Sequence, residues 1–549
     1  MTSQKYVLSH LLSALVAAST AQQVAPSSPP SPASTISVSG SPPTGAGQPL
    51  EAFVSFSIEF SSFPDFAGNV SHPNTFSDNL LNNLGNLTGT KPYIRVGGNT
   101  QDYAIFNSSL PVATVGIIQP SISQDYPTIL SFGIPYFESY TTWPNVRFSH
   151  GFNLGRNSTA ARAALIESVQ YACEVLSQDN RLNVWELGNE PDLFKTSAQG
   201  IVRLSSWTEQ NYVDEWLNYT RQIKTEVQNA CPNISTSEYY QYMAPSFAGT
   251  SNSLDPIRTW NDNLDADDDI RQISSHNYIG GATQPGVTLQ GTLMNHSSTV
   301  ASIAKQLNES NLLTSYKAKY DLPYILGETN SLYNEGAPGL SNSFGAALWG
   351  VDFNLWCASN QIQRVHMHQG TNYRYDSWQP IDTNKSSIGT KAPYYGNIAV
   401  AAFLGNVSGN ASPSTANNIS IVNLPLPIPM EAAYAAYNGS TLTKTMIINM
   451  QQYNYTNAST EGPRPVTRYW FNVPTTCAGT ASVQRLMANG SDAITGITWD
   501  GWSYNYELRN GMPFRLGNVT VGERSTVGQN GTVYVDVPHS SAAVLNLKC

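Results

Sequence analysis

Two glutamates stand in short segments that are typical of reactive carboxyl groups. Glu190 lies in Val-Trp-Glu-Leu-Gly-Asn-Glu-Pro at 184–191, and Glu328 lies in Ile-Leu-Gly-Glu-Thr at 325–329. Each follows an apolar run of strand length. Cleavage of a glycosidic bond needs one protonated carboxyl group to protonate the leaving oxygen, and one ionised group to attack or to activate water. The two segments therefore predict a pair of cooperating carboxyl groups.

The neighbours of Glu190 indicate which member carries the proton. Trp185, Leu187 and Gly188 make the approach to this glutamate apolar, and apolar surroundings raise the pKa of a carboxyl group. Asn189 is suited to hydrogen-bond the 2-hydroxyl of a sugar. The simpler interpretation, a surface glutamate at a strand end, holds for most glutamates. The paired motifs at two strand ends favour the catalytic interpretation.

The elements that must position these residues alternate between strands and helices. Helix-length periodic segments, such as 158–177 and 207–230, separate eight strand-length apolar runs. These runs cover residues 53–60, 93–97, 146–152, 184–188, 239–245, 273–278, 324–327 and 364–369. The alternation predicts an α/β fold, a (β/α)8 TIM barrel over residues 50–404. Glu190 would end its fourth strand and Glu328 its seventh, so both would lie at the mouth where barrel active sites form.

The remainder of the chain has a different pattern. From residue 405 to residue 549, short strand-like runs are separated by Gly, Asn and Pro turns, and no helical period persists. This pattern predicts a C-terminal antiparallel β-sandwich. Residues 22–49 form an arm rich in Pro and Ser, whose 35–39 stretch could add one strand to that sandwich.

The amino terminus and the glycosylation sequons indicate export. Residues 1–21 contain a lysine, a mostly apolar run and small residues before Gln22, as a secretory signal peptide does. A membrane anchor would need about 20 apolar residues, and this run is shorter. About eighteen Asn-X-Ser/Thr sequons, including Asn69, Asn218 and Asn530, predict N-linked glycans. We therefore expect a secreted, extracellular glycoprotein without a membrane span.

The five cysteines fit an exported protein but leave their pairing open. Cys477 and Cys549 both belong to the C-terminal unit, where a bridge would hold the chain end. Cys173 and Cys231 each come late in a predicted helix and could also pair. Cys357 lies in an apolar helical run and is expected to be a buried thiol.

Composition excludes several classes of partner. Only 12% of the residues are charged, the net charge is -10, and the sequence shows no basic stripe. These features argue against a nucleic-acid backbone as partner.

The histidines do not indicate a metal site. His276, His366 and His368 could line a barrel, but no other residue has metal-ligand spacing relative to them. No cofactor and no metal are expected.

Further motifs carry a resemblance to a known family. They are Phe-Ser-Ile-Glu-Phe at 56–60, Tyr-Ile-Arg-Val-Gly-Gly-Asn-Thr at 93–100, Ser-His-Asn-Tyr at 275–278, Tyr333 after Glu328, and His-Gln-Gly-Thr-Asn-Tyr-Arg-Tyr at 368–375. With the two glutamates, this set resembles glycoside hydrolase family 79, the family of heparanase, and notably its secreted fungal β-glucuronidases. The motifs span most of the predicted barrel.

The resemblance implies roles for particular residues. Glu328 would be the nucleophile of a retaining mechanism and Glu190 the acid/base, with carboxyl groups about 5 to 5.5 Å apart. Arg95 would support Glu328 or Glu59 rather than bind substrate. The substrate-binding residues implied are Glu59, Asn99 and Asn189 on sugar hydroxyls, Tyr278 beside the nucleophile, and Tyr333, Tyr373 and Tyr375 with the backbone of Gly370 or Thr371 on a uronate carboxylate. Phenol and amide donors bind an anion without placing a full positive charge beside the nucleophile.

The resulting expectation is an exo-acting β-glucuronidase that removes glucuronic or 4-O-methylglucuronic acid from glycans such as arabinogalactan. One alternative is an endo-β-glucuronidase of heparanase or hyaluronidase type, which would need an open cleft lined by basic residues. The 28 Lys and Arg residues argue against that alternative. A second alternative is a secreted glycan-binding protein without catalysis, which would have no need for both glutamates.

Overall fold

The computed structural model describes residues 31–197, 200–409 and 419–549. The predicted signal peptide, residues 1–21, and the first part of the arm lie outside the described residues. Eight parallel strands close into a barrel, which confirms the predicted (β/α)8 fold. In chain order the barrel strands are Val54–Glu59, Ile94–Gly97, Phe148–Phe152, Leu182–Leu187, Tyr242–Phe247, Ile270–Gly281, Tyr324–Tyr333 and Arg364–Gln369.

Helices surround this barrel, and polar side chains define where several of them begin. Thr208 and Asn211 form a capping box at the start of the longest helix, where each side chain accepts from the backbone N–H of the other residue. The main helices are Thr75–Thr88, Thr159–Leu176, Glu209–Ala230, Pro256–Asn261, His296–Leu312, Thr314–Tyr320, Phe344–Ser359 and Ala392–Leu404. Among the described residues, none of the helices combines the length and apolar character needed to cross a bilayer.

The sixth and seventh barrel strands are longer than predicted. They remain paired as far as Gly281 and Tyr333, beyond a bulge at Ser275 and His276. Glu328 therefore lies within the seventh strand rather than at its end, and the prediction that it ends the strand is wrong. The two strands continue as a ribbon above the barrel rim, and this ribbon forms one side of the mouth.

A small sheet follows the second barrel strand and was not predicted. Its strands are Ala104–Phe106, Thr114–Ile117 and Ile129–Phe132, with Ile129–Phe132 in the centre. We call residues 104–132 the inserted sheet. Its strands are only three or four residues long, which is at or below the shortest run by which a strand is recognised in sequence.

The C-terminal unit consists of two packed sheets. A nine-stranded sheet contains Ile419–Leu424, Glu431–Asn438, Thr441–Asn449, Ser541–Asn546, Gly479–Met487, Thr498–Trp499, Trp502–Ser503, Phe514–Arg515 and Arg524–Val527. The second sheet has three strands, Ser31–Ser37, Val466–Asn472 and Thr532–Pro538. The arm thus contributes a strand, which runs parallel to Val466–Asn472 and is an exception to the expected antiparallel pairing.

The nine-stranded sheet has two buried faces. Along one strand, Ala433 and Ala435 face the core between the two sheets, whereas Tyr434 and Ala436 belong to the core shared with the barrel. Because successive side chains of a strand point to opposite faces, an almost wholly apolar strand is needed here. The barrel and the sandwich therefore share one continuous apolar contact.

Two disulfides join the cysteines whose pairing the sequence left open. Cys173 is bonded to Cys231, which ties the helix Thr159–Leu176 to the end of Glu209–Ala230. Cys477 is bonded to Cys549 and anchors the chain end. Cys357 is a buried free thiol, as expected from its apolar helix.

Candidate active site

A cavity of about 710 Å³ opens at the mouth of the barrel, and both predicted carboxyl groups line it. It also contains Glu59, Asn99, Asn189, Tyr278, Tyr333, Tyr373 and Tyr375 from the predicted set. Residues far apart in sequence meet here because the ends of parallel barrel strands face the same opening. Gly370 and Thr371 are the two predicted binding residues that do not line the cavity.

Arg95 holds Glu328 in place from the second barrel strand. Its guanidinium is 2.6 Å from Glu328 Oε2 and 2.8 Å from Glu186 Oε2, and it also donates to Asn189 Oδ1 at 2.7 Å. Tyr278 donates its hydroxyl to Glu328 Oε1 at 2.8 Å. Both oxygens of the predicted nucleophile are thus oriented, and Arg95 supports Glu328 rather than Glu59. The planar guanidinium of arginine carries several N–H donors in fixed directions, which suits a position between Glu186, Glu328 and Asn189.

Glu190 is held differently. Its backbone lies in the left-handed region at φ 51°, which is uncommon for a residue other than glycine and is often found at functional sites. Its Oε1 is 2.9 Å from His276 Nδ1. One oxygen of Glu190 and one of Glu328 lie within 4.8 Å of each other. The two carboxyl groups are therefore close enough to act on opposite sides of one glycosidic bond.

The surroundings drive the two pKa values apart. Burial, together with the negative charge of Glu328, raises the pKa of Glu190 to about 8. Burial would also raise the pKa of Glu328, but His368, His276, Arg95 and the Tyr278 hydroxyl outweigh it and lower that pKa to about 2. Burial lowers the pKa of His276 to about 4. The pKa of His368 is raised despite burial, because the carboxylates of Glu328 and Glu59 favour its charged form, and its Nδ1 is 3.5 Å from Glu328 Oε2. Near neutral pH one carboxyl group is protonated and the other ionised, as acid and nucleophile must be.

Glu59 also lines the cavity, and both of its carboxylate oxygens have protein partners. Its Oε1 accepts from the backbone and hydroxyl of Thr100 at 2.8 and 2.6 Å, and Tyr373 donates to Oε2 at 3.2 Å. Gly98, at φ 90°, allows this approach, because a Cβ there would come within 2.7 Å of the carboxylate. Asn99 and Asn189 stand next to each other, with 3.4 Å between Asn99 Oδ1 and Asn189 Nδ2.

The predicted backbone donors for a uronate are wrong. The amide of Gly370 donates to Asp376 Oδ1 at 3.1 Å, and the amide of Thr371 donates to Ser62 Oγ at 3.0 Å. These partners lie in other loops, and their positions cannot be read from the segment that contains Gly370 and Thr371. Neither amide is available to a ligand.

The loop after the seventh strand offers two amides instead. Asn334 and Glu335 both line the cavity and both have left-handed backbones, at φ 60° and 59°. Among the described residues, neither backbone N–H donates to a protein acceptor. Successive amides in such a conformation form an anion-binding concavity. This loop carries no sequence signal for a left-handed turn, because Asn334 and Glu335 are not glycines.

Two buried aspartates connect the loops around Glu190. Asp102 accepts the backbone amides of Leu154, Gly155 and Asn189 at 2.9, 3.0 and 2.8 Å. Asp192 accepts from Ala248 N at 2.9 Å and from Asn252 Nδ2 at 2.8 Å. The loops after the second to fifth strands are therefore joined through two carboxyl groups, neither of which was singled out from the sequence.

Glu190, His276 and Glu328 also form a group that could hold a metal ion, and it is the one such group found in the described part of the chain. The fit to a cation is poor. Arg95 already places a positive charge 2.6 Å from Glu328, and a second cation would be repelled by it. We assign the three side chains to acid/base chemistry.

Comparison with known proteins gives a consistent result. Residues 433–544 match the model of the glycosyl hydrolase family 79 C-terminal beta domain. The chain is 58% identical over 522 residues to a β-glucuronidase of Aspergillus niger, covering 94% of each chain. It is 54% identical over 526 residues to a β-glucuronidase of Neurospora crassa, covering 90% of this chain and 94% of the relative.

A solved structure extends the likeness to three dimensions. The 4-O-α-L-rhamnosyl-β-D-glucuronidase from Fusarium oxysporum, in complex with Rha-GlcA, has a TM-score of 0.74 and 26% sequence identity. The match covers 93% of this chain and 100% of that one. The barrel, the sandwich and their arrangement are therefore common to both proteins.

Proposed function

Because the chain belongs to glycoside hydrolase family 79, we propose that it is a retaining, exo-acting β-glucuronidase, in which Glu328 is the nucleophile and Glu190 the acid/base. The observation that carries the proposal is the facing pair of carboxyl groups, with one oxygen of each within 4.8 Å of the other. Their surroundings also raise the pKa of Glu190 to about 8 and lower that of Glu328 to about 2. Retaining enzymes have carboxyl groups about 5 to 5.5 Å apart, and inverting enzymes about 6.5 to 9.5 Å. The short separation supports retention.

The uronate would be recognised without a cation. We assign its carboxylate to the free amides of Asn334 and Glu335 and to the hydroxyls of the tyrosines that line the same end of the cavity. Arg156 is the only Lys or Arg among the described cavity-lining residues, and it belongs to the loop after the third strand. This distribution supports a small anionic group rather than a long acidic polymer as ligand, and therefore exo rather than endo action.

The inserted sheet also supports exo action. Tyr126 lies at its tip, with its ring 6.5 Å from that of Tyr373. Next to it, Asp125 pairs with Arg374 at 2.7 Å and with Lys385 at 3.1 Å, both in the loop after the eighth strand. These contacts hold the inserted sheet against the loop after the eighth strand, beside Tyr126 and Tyr373, which both line the cavity. A chain end fits such a cavity, whereas a continuing polymer does not.

We propose glucuronic or 4-O-methylglucuronic acid at the ends of glycans such as arabinogalactan as the substrate, on the basis of family likeness. Two disulfides and the predicted signal peptide support an exported protein. The sequons support N-linked glycans on its surface. Proteomic detection of the processed chain in culture medium of the source organism, with glycosylated sequon peptides, would test this part.

An activity panel tests the function. The protein is incubated with 4-nitrophenyl β-D-glucuronide and β-D-glucoside, and proton NMR follows the first anomer released. We expect glucuronide hydrolysis with β-glucuronic acid as the first product, at a rate far above that on glucoside. Equal rates on both sugars would contradict the uronate pocket. Release of the α-anomer would contradict retention. A glucuronic-acid-containing polysaccharide is incubated in parallel, and cleavage confined to its internal bonds would establish the endo alternative.

A further inference from the structure

One carboxyl group in the cavity has no part in the mechanism above. The Glu335 side chain follows Asn334 in the loop after the seventh strand and is 17% exposed. No N–H or O–H of the described chain donates a hydrogen bond to its carboxyl oxygens, and its closest cation, Arg374, is 3.5 Å away. Arg374 binds Asp125 more closely, at 2.7 Å. Glu335 is therefore a half-buried acid whose ion pair with Arg374 is long, at 3.5 Å.

The carboxyl group of Glu335 faces the cavity rather than the bulk solvent. Glu335 lines the cavity together with Glu59, His368, Tyr373 and Tyr375. The side chain thus stands at the end of the cavity where the proposed function places the sugar carboxylate.

The charges around this side chain are nearly balanced. Asp125 and Glu59 are the negative groups that face it, and Arg374 and His368 are the positive ones, while Lys385 is taken by Asp125. Burial, and then the charge of Asp125, raise the pKa of Glu335 to about 7. The protonation state of this one side chain therefore decides the sign of the local charge.

We propose that Glu335 is a specificity-determining residue of the uronate pocket, whose neutral carboxyl group donates a hydrogen bond to the sugar carboxylate and whose ionised form repels it. Two carboxyl groups in contact are stable only when they share a proton. The proposal rests on the proposed function, since it assumes a uronate in the cavity. Affinity for the acidic sugar then falls as Glu335 ionises, while affinity for a neutral sugar does not.

The test separates KM from kcat. KM for 4-nitrophenyl β-D-glucuronide is measured from pH 5.5 to 8 at constant ionic strength for the wild type, Glu335→Gln and the control Glu138→Gln, whose side chain is exposed outside the cavity. We expect the KM of the wild type and of the control to rise about tenfold between pH 6 and pH 8, as one ionisation near pH 7 requires. The KM of Glu335→Gln should stay constant, because an amide does not ionise. The same tenfold rise in Glu335→Gln would overturn the proposal.

A second measurement uses the wild type alone, so its outcome does not depend on whether a variant folds. Calorimetry gives the affinity of the wild type for D-glucuronate and for D-glucose at pH 6, 7 and 8. Weakening of glucuronate binding alone, by about tenfold, supports the role of Glu335, and parallel behaviour of the two sugars contradicts it. A wild type that neither hydrolyses the glucuronide nor binds glucuronate would instead contradict the proposed function itself. The two failures are therefore distinguishable.

Discussion

Glu190 and Glu328 are chemically identical side chains that the barrel places in unlike surroundings. Glu328 receives hydrogen bonds from Arg95 and Tyr278 on its two oxygens, whereas a histidine that is neutral near pH 7 is next to Glu190. The ionised form of Glu328 also disfavours ionisation of Glu190. Each carboxyl group therefore helps to set the protonation state of the other.

Removing the nucleophile should abolish turnover. Glu328→Ala leaves no group to form a glycosyl-enzyme, and we expect kcat on 4-nitrophenyl β-D-glucuronide to fall on the order of 10⁴-fold or more. Steady-state kinetics checks this, with Glu138→Gln as the control. Full activity in Glu328→Ala would show that the nucleophile lies elsewhere.

The loss of activity on removing the acid should depend on the leaving group of the substrate. For Glu190→Gln we expect a loss of about 10² to 10⁴-fold in hydrolysis of methyl β-D-glucuronide. The loss in formation of the glycosyl-enzyme should be smaller with 4-nitrophenyl β-D-glucuronide, because nitrophenolate departs without a proton. Pre-steady-state release of nitrophenolate measures this step. An equal loss on both substrates would argue against an acid role.

The same carboxyl group sets the alkaline limit of turnover. Glu190 acts in its protonated form, and its pKa is raised to about 8, so kcat should fall as pH rises through 8. Glu328 acts in its ionised form, and its pKa of about 2 places the acid limit well below pH 4. A kcat profile with saturating substrate measures both limits. A kcat that rises through pH 8 would reverse the assignment of acid and nucleophile.

At the scale of elements, buried carboxyl groups connect the barrel loops around Glu190. Asp102 joins three loops through three backbone amides, one of which belongs to the residue before Glu190. Burial raises its pKa to about 7 despite these donors. Its geometry fixes where the acid/base stands relative to the second and third strands.

Asp102→Asn should weaken this connection without changing the volume of the side chain. An amide has one acceptor oxygen, so at least one backbone N–H loses its partner, at a cost of about 1 to 3 kcal/mol in the free energy of unfolding. We also expect kcat to fall more than KM changes, because Asn189 and Glu190 shift together. Chemical denaturation and kinetics measure both effects. The matched control is Asp179→Asn, whose wild-type side chain is 75% exposed.

The limits of sequence-based prediction also belong to this scale. The eight barrel strands were predictable because buried parallel strands are continuous apolar runs. The positions of Glu190 and Glu328 at the barrel mouth were predictable because each glutamate follows such a run. Whether an amide is free was not predictable. Gly370 and Thr371 are engaged by Asp376 and Ser62, and this depends on how separate loops fold over each other. The inserted sheet was not predictable because its strands are only three or four residues long.

At the scale of the whole molecule, many buried carboxyl groups share a raised pKa. They include Asp102, Asp192 and Asp376 at about 7, and Glu190 and Glu309 at about 8, with burial as the largest cause. Above pH 6.5 the folded protein therefore binds more protons than the unfolded chain, whose carboxyl groups have already ionised. Stability falls with rising pH wherever the folded state binds more protons.

Thermal stability should accordingly decline from pH 6.5 to pH 8. Below pH 6.5, buried histidines such as His150 and His366, whose pKa values are lowered to about 3, act in the opposite direction. They are neutral in the folded protein, whereas the unfolded chain protonates them. A series of Tm values at constant ionic strength measures the net effect. A Tm that increases steadily up to pH 8 would contradict the assignment of raised carboxyl pKa values.

The strand Ser31–Ser37 pairs with Val466–Asn472, which lies more than four hundred residues later in the sequence. During synthesis this strand emerges first, and its partner emerges more than four hundred residues later. The sandwich therefore cannot be completed until translation has nearly ended, although the barrel residues are already available. Pairing of such distant segments is slow compared with local folding. The pairing of the amino-terminal strand is therefore among the last steps by which the sandwich forms.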